Sequence, residues 1–331
     1  MRALALAAAL WSAGAAWADA GGVVPPSEAW VTISTDELRS RYDRLWAISD
    51  IHGRLDDFEQ LLVASGLCVK QAEGTAWNPE KPRQLLLVVG DLLNGGKDSV
   101  GVVLLLEELQ AQAAKAGSRI VVLTGNNEVE FLANPASASH NLLRSAKRAG
   151  LMRKKGLTGE QLARGPIGDY LRKLPVAAFV GTWLFAHAGY IDAQDEVPAM
   201  QAYFAALSAA VAKPDYPVLL DRHSIVEYHN WWADKRKRKR MRARLRVLGL
   251  NGLVIGHDPD ALGLHRTIGI DREGWLMKLD TGMKTLESHG MLLECEVAAL
   301  VREDELRMLD GGGPTCRALA PYGSLRPLAQ Q

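Results

Sequence analysis

Five short apolar runs in this chain each end on a residue able to hold a metal ion, and that recurrence restricts the fold more than any other feature. Residues 44–49 run into Asp50-Ile51-His52-Gly53, and 84–89 run into Gly90-Asp91. Residues 119–124 stop at Gly125-Asn126-Asn127-Glu128, 182–186 at His187-Ala188-Gly189, and 252–255 at Gly256-His257-Asp258. Apolar runs of this length bounded by glycine read as buried strands. Loops beyond the carboxyl ends of such strands converge at one edge of an α/β sheet, where sites are built. Carboxylate, amide and imidazole groups gathered there suit hard to borderline ions such as manganese, iron or zinc. A lone Asp-x-His carries little weight; five strand ends in order carry a good deal.

Amphipathic stretches separate the runs. Leu55, Phe58, Leu61 and Leu62 repeat at helical spacing, and a longer helix is expected from about Ser99 to Ala116 with Ser99 as its N-cap. Residues 176–180 and 182–186 read as a hairpin about Gly181. Further strands are expected at 266–270, 275–279, 291–300 and 305–309. Strands alternating with helices early and with one another late predict an α/β fold, a β-sandwich of mixed sheets flanked by helices. Residues 44–310 would form it, after a linker and lead-in at 21–43; from 311 the aperiodic sequence is expected to be a loose tail.

Length and composition permit a sizeable core: 331 residues, 48% apolar and 23% charged. The net charge of +1 argues against a protein that holds nucleic acid by an overall basic field. Arg2, the Ala-rich apolar run 3–17 and small residues around 16–20 resemble an export signal, so residues 1–20 are expected to be removed and the mature chain to be periplasmic. No later segment is long and apolar enough to cross a bilayer. Export would put Cys68, Cys295 and Cys316 where disulfides form. Cys295 and Cys316 could pair, but spacing leaves the bond unassigned.

Ile48-Ser49-Asp50-Ile51-His52-Gly53, Gly90-Asp91 with Gly96-Lys97-Asp98-Ser99, and Leu123-Thr124-Gly125-Asn126 form an ordered set with Leu184-Phe185-Ala186-His187-Ala188-Gly189, Val254-Ile255-Gly256-His257 and Leu279-Asp280-Thr281-Gly282. On these motifs the sequence, from about Leu45 to Thr285, resembles the calcineurin-like metallophosphoesterases. Within them it is similar to the phosphoprotein-phosphatase branch that includes Shewanella-like protein phosphatases. The resemblance implies that Asp50 and His52 hold one metal, Asp91 bridges, and Asn126, His187 and His257 complete a second site. It also implies two divalent or trivalent ions (Mn, Fe or Zn) and a phosphorylated substrate. Two ions about 3.5–4 Å apart activate water near neutral pH and stabilise both oxygens of an in-line displacement. A phosphomonoester would then be hydrolysed without a covalent intermediate.

The chain departs from that pattern at two places. Where the family has Gly-Asp-x-x-Asp-Arg-Gly, this sequence has Gly90-Asp91-Leu92-Leu93-Asn94-Gly95-Gly96, and Gly-Asn-His-Glu becomes Gly125-Asn126-Asn127-Glu128. Asn94 and Asn127 thus replace both members of an acid dyad, and the phosphate-gripping arginine is absent. Loss of such general-acid catalysis typically costs about 10²–10⁴-fold. Three readings follow: an enzyme whose leaving group needs no proton, a metal-bound pseudophosphatase that binds phosphorylated or anionic ligands, and a dinucleoside polyphosphate hydrolase, which shares the Asp-x-His-Gly opening. The asparagines could simply hydrogen-bond each other. His223 and His229 are candidates for replacement donors, Lys97 and Arg222 for phosphate binding.

One run stands outside the motifs. From Lys235 to Arg246 nine of twelve residues are basic. Met241, Leu245 and Leu248 fall at helical spacing and predict a helix with one packed face. The rest is either a solvated face or a site for an anionic partner.

Overall fold

The structure is a computed structural model that describes residues 23–24, 27–72, 74–151, 157–285, 288–301, 316–321 and 325–330. The expected export signal and the strand expected at 305–309 lie outside them. The described strands are β1 (Trp30–Ile33), β2 (Arg44–Ile48), β3 (Cys68–Gln71), β4 (Gly74–Trp77), β5 (Gln84–Val89), β6 (Arg119–Leu123), β7 (Ala177–Val180) and β8 (Trp183–Ala186). They continue with β9 (Gly252–Ile255), β10 (Gly269–Ile270), β11 (Leu276–Lys278), β12 (Leu292–Glu296), β13 (Cys316–Leu319), β14 (Leu325–Pro327) and β15 (Ala329–Gln330).

Two mixed sheets face each other. One has the order β1-β7-β8-β9-β11-β10-β15 and the other β14-β13-β12-β2-β5-β6, while β3 and β4 form a separate hairpin. Side-chain alternation explains why the central strands are apolar throughout. Leu85, Leu87 and Val89 of β5 meet Ala178, Val180, Phe185 and Val254 of the opposite sheet. Leu86 and Val88, on the other face, pack with Phe58 and Leu61 of the helix Leu55–Ala64 and with Val102 and Leu106 of the helix Ser99–Lys115. Behind the second sheet, Leu184, Ala186 and Leu253 pack with Met200 and Phe204 of the helix Val197–Ala212 and with Met241 and Leu245 of the helix Lys235–Val247. The expected mixed α/β architecture is therefore present, with helices on both outer faces.

Several local expectations change. The helix at 99 is capped by Asp98, whose carboxylate accepts from the Gly101 N–H at 3.1 Å; Ser99 is buried inside the first turn. The strand expected at 291–300 stops at Glu296, opposite Arg44 where β2 begins, and after the Val297 N–H has donated to the Asp43 carbonyl at 3.2 Å the chain turns into the helix Val297–Leu300. Only Gly269–Ile270 of the run 266–270 pairs as a strand. Residues 316–321 and 325–330 are not a loose tail: β13 pairs with β12, β14 extends the same sheet, and β15 joins β10. Cys295 and Cys316 are disulfide-bonded across β12 and β13, and Cys68 is a buried free thiol. The lead-in contributes β1, which pairs in parallel with β7, and the helix Thr35–Arg41.

Candidate metal centre

Strand register brings the motif loops together. β2, β5 and β6 run parallel, with Ile48 beside Val88 and Val89 beside Leu123, so the loops after them leave one edge of their sheet. In the opposite sheet β8 runs parallel to β9, with Phe185 beside Val254, and those strands end in His187 and His257. The first loops remain laced together: the N–H groups of Asp50, His52 and Gly53 donate to the carbonyls of Gly90, Asp91 and Leu92 at 3.0, 2.9 and 2.8 Å. Asp50, His52, Asp91 and His257 have φ of 56°, 48°, 56° and 68°, the left-handed region that non-glycine residues rarely occupy. Such backbone persists where surrounding bonds over-determine it, and it clusters at functional sites.

The loops approach closely enough to exclude side chains at two glycines. A Cβ on Gly125 would sit 2.3 Å from Asp91 Oδ1, and one on Gly90 would sit 2.7 Å from Gly125 Cα and 2.8 Å from His187 Nδ1. Gly90 also has φ of 79°. Glu128, fully buried, clamps the same two loops. Its carboxylate accepts the N–H groups of Asp91 (2.9 Å), Leu92 (2.9 Å), Leu93 (3.0 Å) and Gly125 (2.8 Å). The last of these bonds, from the third position of the helix Asn126–Ala133 back to the N-cap N–H, is the one a capping box uses. Burial, reinforced by the nearby Asp91 carboxylate, pushes Glu128 up to about 7.

Each of three histidines is oriented by a backbone carbonyl. His52 Nδ1 lies 3.0 Å from Leu93 O, His187 Nδ1 3.0 Å from Val89 O, and His257 Nε2 2.9 Å from Glu227 O. A carbonyl only accepts, so these nitrogens carry the protons and the opposite nitrogens point into the site. His52 Nε2 lies 3.6 Å from Asp91 Oδ2 and 3.8 Å from Asp50 Oδ1. His187 Nε2 meets Asn126 Oδ1 at 3.1 Å, Asp91 Oδ1 at 3.3 Å and His257 Nδ1 at 3.0 Å. The Asn126 amide nitrogen faces Glu130 Oε1 at 3.5 Å, which leaves its oxygen turned inward.

Asp91 Oδ1, Asn126 Oδ1, His187 Nε2 and His257 Nδ1 thus converge, and acceptors so placed repel one another unless a positive charge lies among them. The electrostatics agree. Burial opposes charging of His187, but the Asp91 and Asp50 carboxylates overcome it and push the group up to about 10. Burial and the facing His187 then hold His257 down to about 2. Asp50, His52 and Asp91 form one group of facing ligand atoms and Asp91, His187 and His257 another, so Asp91 is shared. The donor set therefore fits cations at both groups, with Asp91 common to them.

Asn94 and Asn127, expected to replace an acid dyad, are joined. Asn94 Nδ2 donates to Asn127 Oδ1 at 2.8 Å, and Asn127 Nδ2 in turn donates to Asp91 Oδ2. His229 is brought to the centre: its ring lies 3.7 Å from that of His257, and Glu227, His229 and His257 have facing ligand atoms. His223 sits farther along the loop, with Nδ1 3.7 Å from Asp192 Oδ2 and its ring against Tyr228. Lys97 and Arg222 are exposed, and among the described residues no hydrogen bond or ion pair joins either side chain to the cluster.

Sequence reasoning gave no role to Glu128, Glu227 or Asp280. Asp280 is buried, accepts the Gly282 N–H at 2.8 Å and is held above the usual carboxylate range by burial. Its field also raises Asp50, after the larger effect of burial. Glu227 carries a buried Oε2 with no hydrogen-bond partner among the described residues. Its flanking sequence offers no glycine or strand-end signal that would have marked it.

The sequence pattern described as calcineurin-like phosphoesterase matches residues 43–261. Shewanella-like protein phosphatase 2 of Arabidopsis thaliana is 30% identical over 95 residues, which are 28% of this chain and 23% of the plant protein, so the match spans about a quarter of that relative. Among solved structures, a cold-active protein-tyrosine phosphatase of a psychrophilic Shewanella species shares the fold, with a TM-score of 0.64, 18% identity, and coverage of 92% of this chain and 83% of that one. A protein serine/threonine phosphatase from Saccharomyces cerevisiae gives 0.50 and 13%, with 92% of each chain covered. With two thirds of its length matched by one family pattern, and the ligand motifs inside that match, the chain belongs to the calcineurin-like phosphoesterase family.

Proposed function

We propose that this protein is a metal-dependent phosphomonoesterase in which Asp50, His52, Asp91, Asn126, His187 and His257 hold a pair of transition-metal ions (Mn, Fe or Zn). The observation that carries the reading is the convergence of one carboxylate oxygen, one amide oxygen and two imidazole nitrogens from four separate loops. Bound there, such ions supply charge stabilisation for the phosphoryl oxygens and a water competent to attack at neutral pH. The residues themselves position. Backbone carbonyls fix the three imidazoles, Glu128 fixes the loop carrying Asp91, and the Asn127 side chain and N–H fix the Asp91 carboxylate.

The Asn94–Asn127 pair favours a substrate whose leaving group departs without a proton, since an amide is no general acid near neutral pH. A phenol, with a pKa of about 10, leaves as its anion far more readily than an aliphatic alcohol. We therefore assign the preferred substrate to the aryl phosphomonoesters, phosphotyrosine included, a reading in keeping with the name of the Shewanella neighbour. The same asparagine pair favours a second reading, a metal-bound pseudophosphatase. Export to an oxidising compartment is part of the proposal, supported by the Cys295–Cys316 disulfide.

Hydrolysis of p-nitrophenyl phosphate and of glycerol phosphate tests the reading. The expected result is chelator-sensitive turnover of the aryl ester with little turnover of the alkyl ester. Asn94→Asp together with Asn127→His should raise the alkyl rate by about 10²-fold or more by restoring a proton donor. Turnover of neither ester by metal-loaded protein would favour the pseudophosphatase.

A further inference from the structure

The basic helix Lys235–Val247 borders a groove of about 940 Å³ that is also lined by Trp232, Glu273 and Trp275. Trp232 Nε1 donates to Asp258 Oδ2 at 2.9 Å, one residue beyond His257. His229, three residues before Trp232, lies against the His257 ring. Trp232 thus ties the lining of the groove to the loop that carries His257.

Part of the helix's charge serves the fold. Arg244 is buried, donates to the Ile191 carbonyl and lies over the Tyr190 ring, while Lys237 donates to Tyr228. Arg238 pairs with the buried Asp271 at 2.6 Å, and Arg242 pairs with Glu273. Lys235, Lys239 and Arg246 are different. All three are exposed and line the groove, and among the described residues no carboxylate pairs with them. At 3.6 residues per turn, positions 235, 239, 242 and 246 fall within roughly 60° of arc, so the cations form one stripe along the groove. From Lys235 to Arg246 the stripe rises about 16 Å, the span of about five residues of extended chain.

We propose that this groove seats an acidic stretch of about five residues flanking the phosphorylated residue of a polypeptide substrate. The proposal rests on the phosphomonoesterase reading above, which it deepens by naming the substrate class. Charge complementarity and a length matched to an extended segment favour a polypeptide. The large exposed apolar side chains among the described residues, Leu151, Val197 and Val218, lie outside this groove, whereas insertion at a bilayer surface requires apolar groups beside the basic ones. The net charge of +1 provides no overall field for nucleic acid.

The test uses the full chain, loaded with metal, and two fluorescent phosphotyrosyl peptides that differ only in carrying five glutamates or five glutamines beside the phosphotyrosine. Binding is read by anisotropy, and cleavage as kcat/KM relative to p-nitrophenyl phosphate. The acidic peptide should bind about tenfold or more tightly than the neutral one and weaken with added salt. Lys235→Glu, Lys239→Glu and Arg246→Glu combined should abolish that preference and lower the peptide-to-aryl-phosphate ratio about tenfold, with the melting temperature checking the fold. Equal binding of the two peptides, or an acidic preference that survives the triple change, would overturn the proposal. So would a triple-sensitive preference for phosphatidylglycerol vesicles or for polyuridylate over the acidic peptide. Loss of all turnover with the binding preference intact would sink the phosphomonoesterase reading and leave the groove assignment standing, because binding is measured without cleavage.

Discussion

At the scale of single residues, the candidate ligands depend on neighbours that lie outside the cluster. Gly125 is the clearest example: its missing side chain makes room for Asp91 Oδ1, so Gly125→Ala should lower metal content per chain, measured by mass spectrometry, while the chain still folds. Glu128→Gln keeps the size of the side chain but replaces one carboxylate oxygen, the acceptor of two of the four buried N–H groups, with an NH2 donor. Each N–H left without a partner costs about 1–3 kcal/mol, and the urea midpoint should fall accordingly. The six candidate ligands stand out in the sequence because each lies at the end of a short apolar run. Glu227, whose carbonyl orients His257, does not, because a loop residue outside any periodic pattern leaves no trace of the contact it makes.

At the scale of elements, the strands buried on both faces were readable and those near the chain's end were not. β5 and β9 are apolar at almost every position because each face meets a packed layer. β13 is only Cys-Arg-Ala-Leu, too short for alternation to stand out, and its place follows from pairing with β12. The disulfide between these strands joins residues 21 apart in sequence. A loop of that size contributes about 3 kcal/mol through its effect on the unfolded chain. Reduction, or Cys295→Ser with Cys316→Ser, should therefore lower the unfolding midpoint in urea by a matching amount. An unchanged midpoint would mean that the β12–β13 edge adds nothing to stability. The helix after β5 teaches a similar lesson about caps: Asp98 and Ser99 are both competent, and only the backbone geometry decides that Asp98 does the capping.

On the scale of the whole molecule, the centre lies where the two sheets meet. Asp50, Asp91 and Asn126 come from loops of one sheet, His187 and His257 from loops of the other. Metal bound there ties the halves of the sandwich together, so the melting temperature should rise with metal concentration. At a hundredfold excess over Kd the gain is about 2.7 kcal/mol. The central claim is that one shared carboxylate organises two metals for phosphoester hydrolysis, and Asp91→Asn addresses it most directly. Metal content and p-nitrophenyl phosphate turnover should be measured on the same preparations of the wild-type chain and this variant. The account predicts two transition-metal ions per wild-type chain with chelator-sensitive turnover, and loss of both in Asp91→Asn. A wild-type chain that takes up no transition metal, or a variant that turns over the ester at the wild-type rate, would contradict it.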